Sequence, residues 1–151
     1  MSGDKSQPIR IVVFEDNAAD VHLLREALAE NNVAFQLEVY EDGEQVQRYL
    51  APDVARTPVD VFVIDLNLPK ITGDEILFSI RRDKSLSNVP ALVLTSSDSH
   101  RDRTRAFELG ATDYLRKPCT LDEYFEIGRV IERLVRPSQP DAPTASQSGE
   151  A

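Results

Sequence analysis

The chain has 151 residues, 41% of them hydrophobic and 28% charged, which suits one domain around a single core. A formal net charge of −9 argues against a nucleic-acid or anionic-membrane surface, because phosphates are held by clustered Lys and Arg. The single cysteine, Cys119, excludes an intramolecular disulfide, and no apolar run approaches the roughly 20 residues that span a bilayer, so a cytoplasmic protein is expected.

Residues 1–8 read as a flexible lead-in. Ile9 to Phe14 is the first strand and ends in Glu15-Asp16. Asn17-Ala18-Ala19-Asp20 then turns the chain into a helix with Val21, Leu24, Ala27 and Leu28 on one stripe. Leu23 lies beside that stripe, either as its flank or as a small exposed contact. Asn31-Asn32 ends the helix. Phe35, Leu37 and Val39 alternate with Gln36 and Glu38, as in a strand near a sheet edge. Glu41-Asp42-Gly43 turns into a short helix marked by Val46, Tyr49 and Leu50, and an irregular 51–58 connection with two prolines follows.

Val61 to Ile64 is short, apolar and rich in β-branched residues, like a strand buried on both faces of a parallel sheet. It stops at a carboxylate, Asp65, and a turn segment with Asn67, Pro69 and Gly73 begins. Taken alone, Asp65 is either a reactive group at a strand end or a turn cap. Thr72-Gly73-Asp74-Glu75 has the pattern of a capping box, and Ile76, Leu77 and Ile80 form the buried side of the helix it opens. Ala91 to Thr95 is a further buried strand, ending in hydroxyls at Thr95-Ser96-Ser97. A polar helix from about Asp98 to Leu109 closes at Gly110. Asp113 to Arg116 is the last strand and runs into Lys117-Pro118. Thr120-Leu121-Asp122-Glu123 repeats the capping-box pattern before a final helix with Phe125, Ile127, Ile131, Leu134 and Val135. Residues 137–151 lack large apolar side chains and read as a disordered tail, leaving 9–136 as the domain.

Strict βα alternation predicts a doubly wound α/β fold: a five-stranded parallel sheet, order 2-1-3-4-5, with the site near strands 1 and 3. A parallel sheet brings its strand ends to one edge. There the sequence sets Glu15 and Asp16, Asp65, Thr95 and Lys117. Three carboxylates and one ammonium sum to −2. Two unit charges about 4 Å apart repel by about 4 kcal/mol at an effective dielectric near 20. Either a carboxylate takes a proton or a divalent cation enters. Oxygen ligands without His or Cys suit Mg²⁺. Beside such an ion, Lys117 can hold phosphoryl oxygens, Thr95 can donate a hydrogen bond, and a carboxylate can itself accept the phosphoryl group.

The set Glu15-Asp16, Asp65-Leu66-Asn67-Leu68-Pro69 with Gly73, Thr95-Ser96, Gly110-Ala111 with Asp113-Tyr114, and Lys117-Pro118 closely resembles the receiver domain of two-component response regulators. The resemblance covers Ile9 to Arg136 and implies the flavodoxin-like receiver fold; receivers are among the examples of the switch-point rule itself. It implies that Asp65 accepts a phosphoryl group from a phosphohistidine on a sensor kinase. It also implies Mg²⁺ on Asp16, Asp65 and the Asn67 backbone carbonyl, with Glu15 helping through water. Lys117 then holds a phosphoryl oxygen, and its bond to Pro118 is cis. Thr95 swings toward the phosphoryl group, and Tyr114 changes rotamer with it, unless Tyr114 serves packing alone. His22 and His100 are expected to face solvent, and Cys119 to do no chemistry.

No output module is recognised after the final helix, so the expected signal passes by protein contact, to a downstream target, a phosphotransfer protein or the kinase. The Glu15-Asp16-Asn17 start, the Asn67-Leu68-Pro69-Lys70 loop and the extended 51–58 connection are similar to stand-alone receivers paired with phytochrome-type kinases, a resemblance that makes a homodimer plausible. The expected protein is a phosphoacceptor and not an enzyme, with slow self-dephosphorylation of Asp65. Three rivals differ in class. A receiver-like binding module that is never phosphorylated usually lacks an acid, the acceptor or the lysine. An aspartyl phosphatase needs a second Asp where Asn67 stands. A flavin carrier needs a Ser/Thr/Gly-rich loop after the first strand.

Overall fold

A computed structural model describes residues 7–137. Residues 1–6 and 138–151, which hold most of the expected lead-in and tail, lie outside it. In chain order the elements are β1 (Ile9–Phe14), α1 (Ala18–Glu30), β2 (Phe35–Tyr40), α2 (Gly43–Leu50), β3 (Val61–Ile64), β4 (Asn67–Leu68), β5 (Ile71–Thr72), α3 (Gly73–Arg82), β6 (Ala91–Thr95), α4 (His100–Glu108), β7 (Asp113–Arg116) and α5 (Leu121–Val135).

Five strands form one parallel sheet in the order β2-β1-β3-β6-β7. Counting only these strands, this is the expected order 2-1-3-4-5. The strand with period two, β2, is one of the two edges, and the continuous apolar run Val61–Ile64 is the buried centre. Each face of the sheet carries its own core. On one, Leu24, Ala27 and Leu28 of α1 and Tyr124, Ile127 and Ile131 of α5 pack on Ile11, Val13, Val61 and Val63. On the other, Val46, Ile76, Leu77, Ile80 and Ala106 from α2, α3 and α4 pack on Val12, Phe14, Phe62 and Ile64. Alternate residues of one strand therefore serve opposite cores, as the pleat requires. Leu23 packs at the margin of the first core, so it belongs to the stripe's flank.

The structure adds a feature the pattern did not suggest. β4 and β5 form an antiparallel two-stranded hairpin directly after Asp65, with Asn67 opposite Thr72 and Leu68 opposite Ile71. Its two-residue turn is Pro69-Lys70, with Lys70 at φ 72°. Pro followed by a residue of positive φ is the signature of a type II turn, though Gly usually fills that second place. The expected cis bond before Pro118 is not present: every described peptide is trans. An X-Pro bond prefers trans by only about 0.5–1 kcal/mol, so tertiary context decides the isomer.

The Thr72–Glu75 capping box forms in both directions. The one at Thr120 forms in one direction only. Thr120 accepts from the Glu123 N–H at 3.2 Å, but Glu123 Oε1 accepts from the Cys119 N–H at 3.1 Å. The Glu side chain thus satisfies a donor one residue before the cap. Among the described residues no helix is long and apolar enough to cross a membrane. His22, His100 and Cys119 are exposed.

Candidate functional site

The ends of β1 and β3 lie side by side, with Phe14 paired to Ile64, so the residues that follow them meet at the point where the sheet order reverses. The Asp65 N–H donates to the Phe14 carbonyl at 3.0 Å, and the Glu15 N–H to the Tyr40 carbonyl at 3.1 Å. These backbone bonds anchor both acids at the sheet edge. Glu15, Asp16 and Asp65 each present a carboxylate oxygen within 4.8 Å of the others. Glu15 and Asp65 are buried and Asp16 is exposed.

The loop after Asp65 is held close by a glycine. A Cβ on Gly73 would stand 2.6 Å from Leu66 Cδ2 and 2.7 Å from Leu66 Cα. The Gly73 N–H donates to the Leu66 carbonyl at 3.0 Å. Asn67 is placed through its backbone: its N–H donates to Asp65 Oδ1 at 3.1 Å, and its side chain is exposed.

Lys117 reaches into this cluster from the end of β7. Its N–H donates to the Thr95 carbonyl at 2.7 Å, which ties the two strand ends together. Its Nζ lies 3.1 Å from Asp65 Oδ2, 2.9 Å from Glu15 Oε1 and 2.7 Å from Asp20 Oδ2. Burial alone would lower the Lys117 pKa, but hydrogen bonds to Asp20 and Glu15, and then the charge of Glu15 and the bond to Asp65, outweigh it and raise the pKa. Burial raises Glu15 to about 7, with help from the Asp65 charge and against the bond and charge of Lys117. With four carboxylates around one ammonium, full ionisation leaves −3 in a partly buried space. A hard divalent cation suits that donor set: closely spaced carboxylate oxygens with no nitrogen or sulfur among them.

Thr95 is wholly buried at the end of β6, and its Oγ1 accepts from the Ser97 N–H at 3.4 Å. Tyr114 is buried too, with its hydroxyl donating to the Ser97 carbonyl at 3.1 Å. One short segment, Thr95 to Ser97, thus joins the two expected switch residues. Glu15, Asp16, Asp65 and Lys117 are brought together around one space; Thr95 and Tyr114 meet each other's neighbours on the β6 side.

Three residues of this region were missed at the level of sequence. Asp20 binds Lys117, and its place in the first turn of α1, just after Glu15-Asp16, was the available cue to the same edge. Tyr124 donates its hydroxyl to Asp20 Oδ1 at 3.3 Å; nothing in the α5 pattern separates it from an ordinary core aromatic. Arg103 donates to the Tyr114 carbonyl at 3.2 Å, with its guanidinium 5.4 Å from both the Tyr114 and Phe107 ring centroids. Its spacing from Phe107 on α4 was a visible cue.

Fold and site together define a doubly wound α/β protein with an acidic cluster and a lysine at the switch point of its sheet. The family model of the response regulator receiver domain matches residues 11–128, and the chain belongs to that family. It is 31% identical over 135 residues to response regulator Rcp1 of Synechocystis sp., covering 87% of this chain and 92% of that protein. The structure of the phosphorylated cyanobacterial phytochrome response regulator RcpA matches with a TM-score of 0.77 and 31% identity, covering 87% of this chain and 96% of that one. The Mn²⁺-bound form of response regulator Rcp1 matches with a TM-score of 0.75 and 29% identity, covering 87% and 98% respectively.

Proposed function

We propose that this chain is a single-domain response regulator, with its receiver over residues 9–136, that accepts a phosphoryl group on Asp65. The donor is the phosphohistidine of a sensor histidine kinase or of a phosphotransfer protein. The observation that carries this reading is the Lys117 ammonium 3.1 Å from Asp65 Oδ2, beside the three-carboxylate cluster. In the step, an Asp65 carboxylate oxygen bonds to phosphorus as the N–P bond of the phosphohistidine breaks. The electron pair stays on the imidazole nitrogen, which takes up a proton. The product is an acyl phosphate, a mixed anhydride. Lys117 donates to a phosphoryl oxygen and offsets the charge arriving on Asp65.

Glu15, Asp16, Asp65 and the Asn67 carbonyl would hold Mg²⁺, which when bound neutralises charge on the phosphoryl oxygens. Thr95 turns its hydroxyl to the phosphoryl group, and Tyr114 responds through the Ser97 segment they share, changing the surface of α4, β7 and α5. The acceptor is consumed once per phosphoryl group, so the protein is not an enzyme in the ordinary sense, apart from slow Mg²⁺-dependent self-dephosphorylation. It works in the cytoplasm and signals by protein contact, without nucleic acid or membrane, and the reading extends to a homodimer. Likeness to RcpA, a phytochrome response regulator by name, supports a phytochrome-type kinase as the donor.

The test is mass measurement after incubation with Mg²⁺ and acetyl phosphate. One added phosphoryl group is expected on the wild type and none on Asp65→Asn. No adduct on the wild type favours the unphosphorylated binding module, and turnover of unrelated phosphate esters favours a phosphatase.

A further inference from the structure

The three donors of the Lys117 ammonium all have carboxylate partners: Asp20 at 2.7 Å, Glu15 at 2.9 Å and Asp65 at 3.1 Å. Two of these partners, Glu15 and Asp65, belong to the carboxylate cluster. Asp20, which makes the shortest contact, does not. Its two oxygens have separate tasks. Oδ2 takes Lys117, and Oδ1 takes the hydroxyl of Tyr124, a side chain only 1% exposed. The backbone of Asp20 is fixed as well, because its N–H donates to the Asn17 side chain that caps α1. A lysine on a four-carbon stem is costly to hold in one place, and here α1 and α5 together supply a fixed anchor for it.

We propose that Asp20, oriented by the Tyr124 hydroxyl, is the positioning residue that holds Lys117 for phosphoryl transfer to Asp65. When the phosphoryl group arrives, Lys117 exchanges its bond to Asp65 Oδ2 for one to a phosphoryl oxygen. The bond to Asp20 stays and sets the direction of the ammonium before and after. This role rests on the acceptor reading above, so its experiment needs one arm that does not involve phosphorylation.

That arm is the ¹⁵N–¹H correlation signal of lysine ammonium groups in the metal-free protein, with Lys117 assigned by its loss in Lys117→Arg. A hydrogen-bonded Lys117 ammonium gives a resolved signal in the wild type. Asp20→Asn is expected to lose or shift it strongly, while backbone amide signals away from the site stay in place. The other arm is the rate of phosphorylation by acetyl phosphate at saturating Mg²⁺. Asp20→Asn is expected to lower the limiting rate about tenfold, as loss of one charge-assisted hydrogen bond allows, with the half-saturating acetyl phosphate concentration little changed. Tyr124→Phe keeps the ring in the core and is expected to lower the rate about twofold while shifting the same ammonium signal. A wild-type rate in Asp20→Asn overturns the role, and so does a slow variant whose Lys117 signal has not moved. A wild-type protein that takes up no phosphoryl group sinks the acceptor reading and this role with it. A phosphorylated wild type matched by both variants sinks the role of Asp20 alone.

Discussion

Tyr49 packs its ring against Tyr40, Phe14 and Phe62, with centroids 4.9, 5.9 and 6.3 Å away, and the Arg56 guanidinium lies 5.3 Å from its own centroid. Its hydroxyl is buried without a hydrogen-bond partner. Burial raises its pKa to about 12, against the nearby charge of Arg56. The folded state therefore favours the neutral phenol. That preference is fully present below the ordinary value near 10 and is lost as pH rises toward about 12. Tyr49→Phe is expected to stabilise the protein at neutral pH by about 1 kcal/mol, since a buried unsatisfied group is removed. It is also expected to lose less stability than the wild type between about pH 9 and pH 11.5, by about 2 kcal/mol. Urea unfolding at both pH values measures each difference.

At the scale of elements, Arg81 joins three segments. From α3 its Nε donates to the Gly110 carbonyl at 2.9 Å, and its Nη1 donates to the Ser87 and Val89 carbonyls at 3.1 and 2.8 Å. Burial lowers its pKa, yet it stays charged far above neutral pH. Gly110, at φ 106°, ends α4 and lets this side chain lie against it; a Cβ there would meet Arg81 Cγ at 2.7 Å. Arg81→Met keeps the stem and removes the donors. The expected cost is about 3 kcal/mol in urea unfolding, because three partly buried carbonyls lose their partner together. Closer to the site, Gly73→Ala drives a methyl into Leu66 and must displace the segment that follows Asp65. It is expected to slow phosphorylation by acetyl phosphate about tenfold or more at saturating Mg²⁺, as small displacements of a reacting group do. Rates of phosphorylated-protein formation, followed by mass, check it.

For the whole molecule, the sheet separates two cores, and the face covered by α1 and α5 carries both Asp20 and Tyr124. The two helices meet at Gly128, where a Cβ would stand 2.5 Å from Asn31 Nδ2 and 2.8 Å from the Ala27 carbonyl oxygen. The same Asn31 amide donates to the Ala27 and Phe125 carbonyls at 2.9 and 2.8 Å, so it has little freedom to retreat. Gly128→Ala is expected to cost about 2 kcal/mol through overpacking, more than the gain an alanine gives a helix, and urea unfolding measures it. Among the described residues, the large apolar side chains that remain exposed, Val54, Phe78, Phe107 and Leu121, stand on four different segments, and Arg82 and Arg103 lie over the Phe78 and Phe107 rings.

Much of this architecture was written in periodicity. Short apolar or alternating stretches of four to six residues, most of them ended by a polar group and followed by helical spacing, decide the number of strands, their parallel sense and the edge to which Glu15, Asp16, Asp65, Thr95 and Lys117 come. Such patterns are legible because burial on both faces of a strand, or on one face of a helix, is a local constraint on residue type. The β4–β5 hairpin, the trans bond before Pro118 and the misdirected Glu123 cap were not legible, because each depends on energy differences of about 1 kcal/mol that neighbours in space decide. Nor could the chain alone reveal the grip of Asp20 and Tyr124 on Lys117, residues separated by 97 and 104 positions in the pairs that link them. Sequence by itself determined which chemical groups the sheet delivers to its edge. Only the folded packing of α1 against α5 brought Asp20, with the Tyr124 hydroxyl on its other oxygen, to Lys117, because those contacts join side chains about a hundred residues apart that no local constraint links.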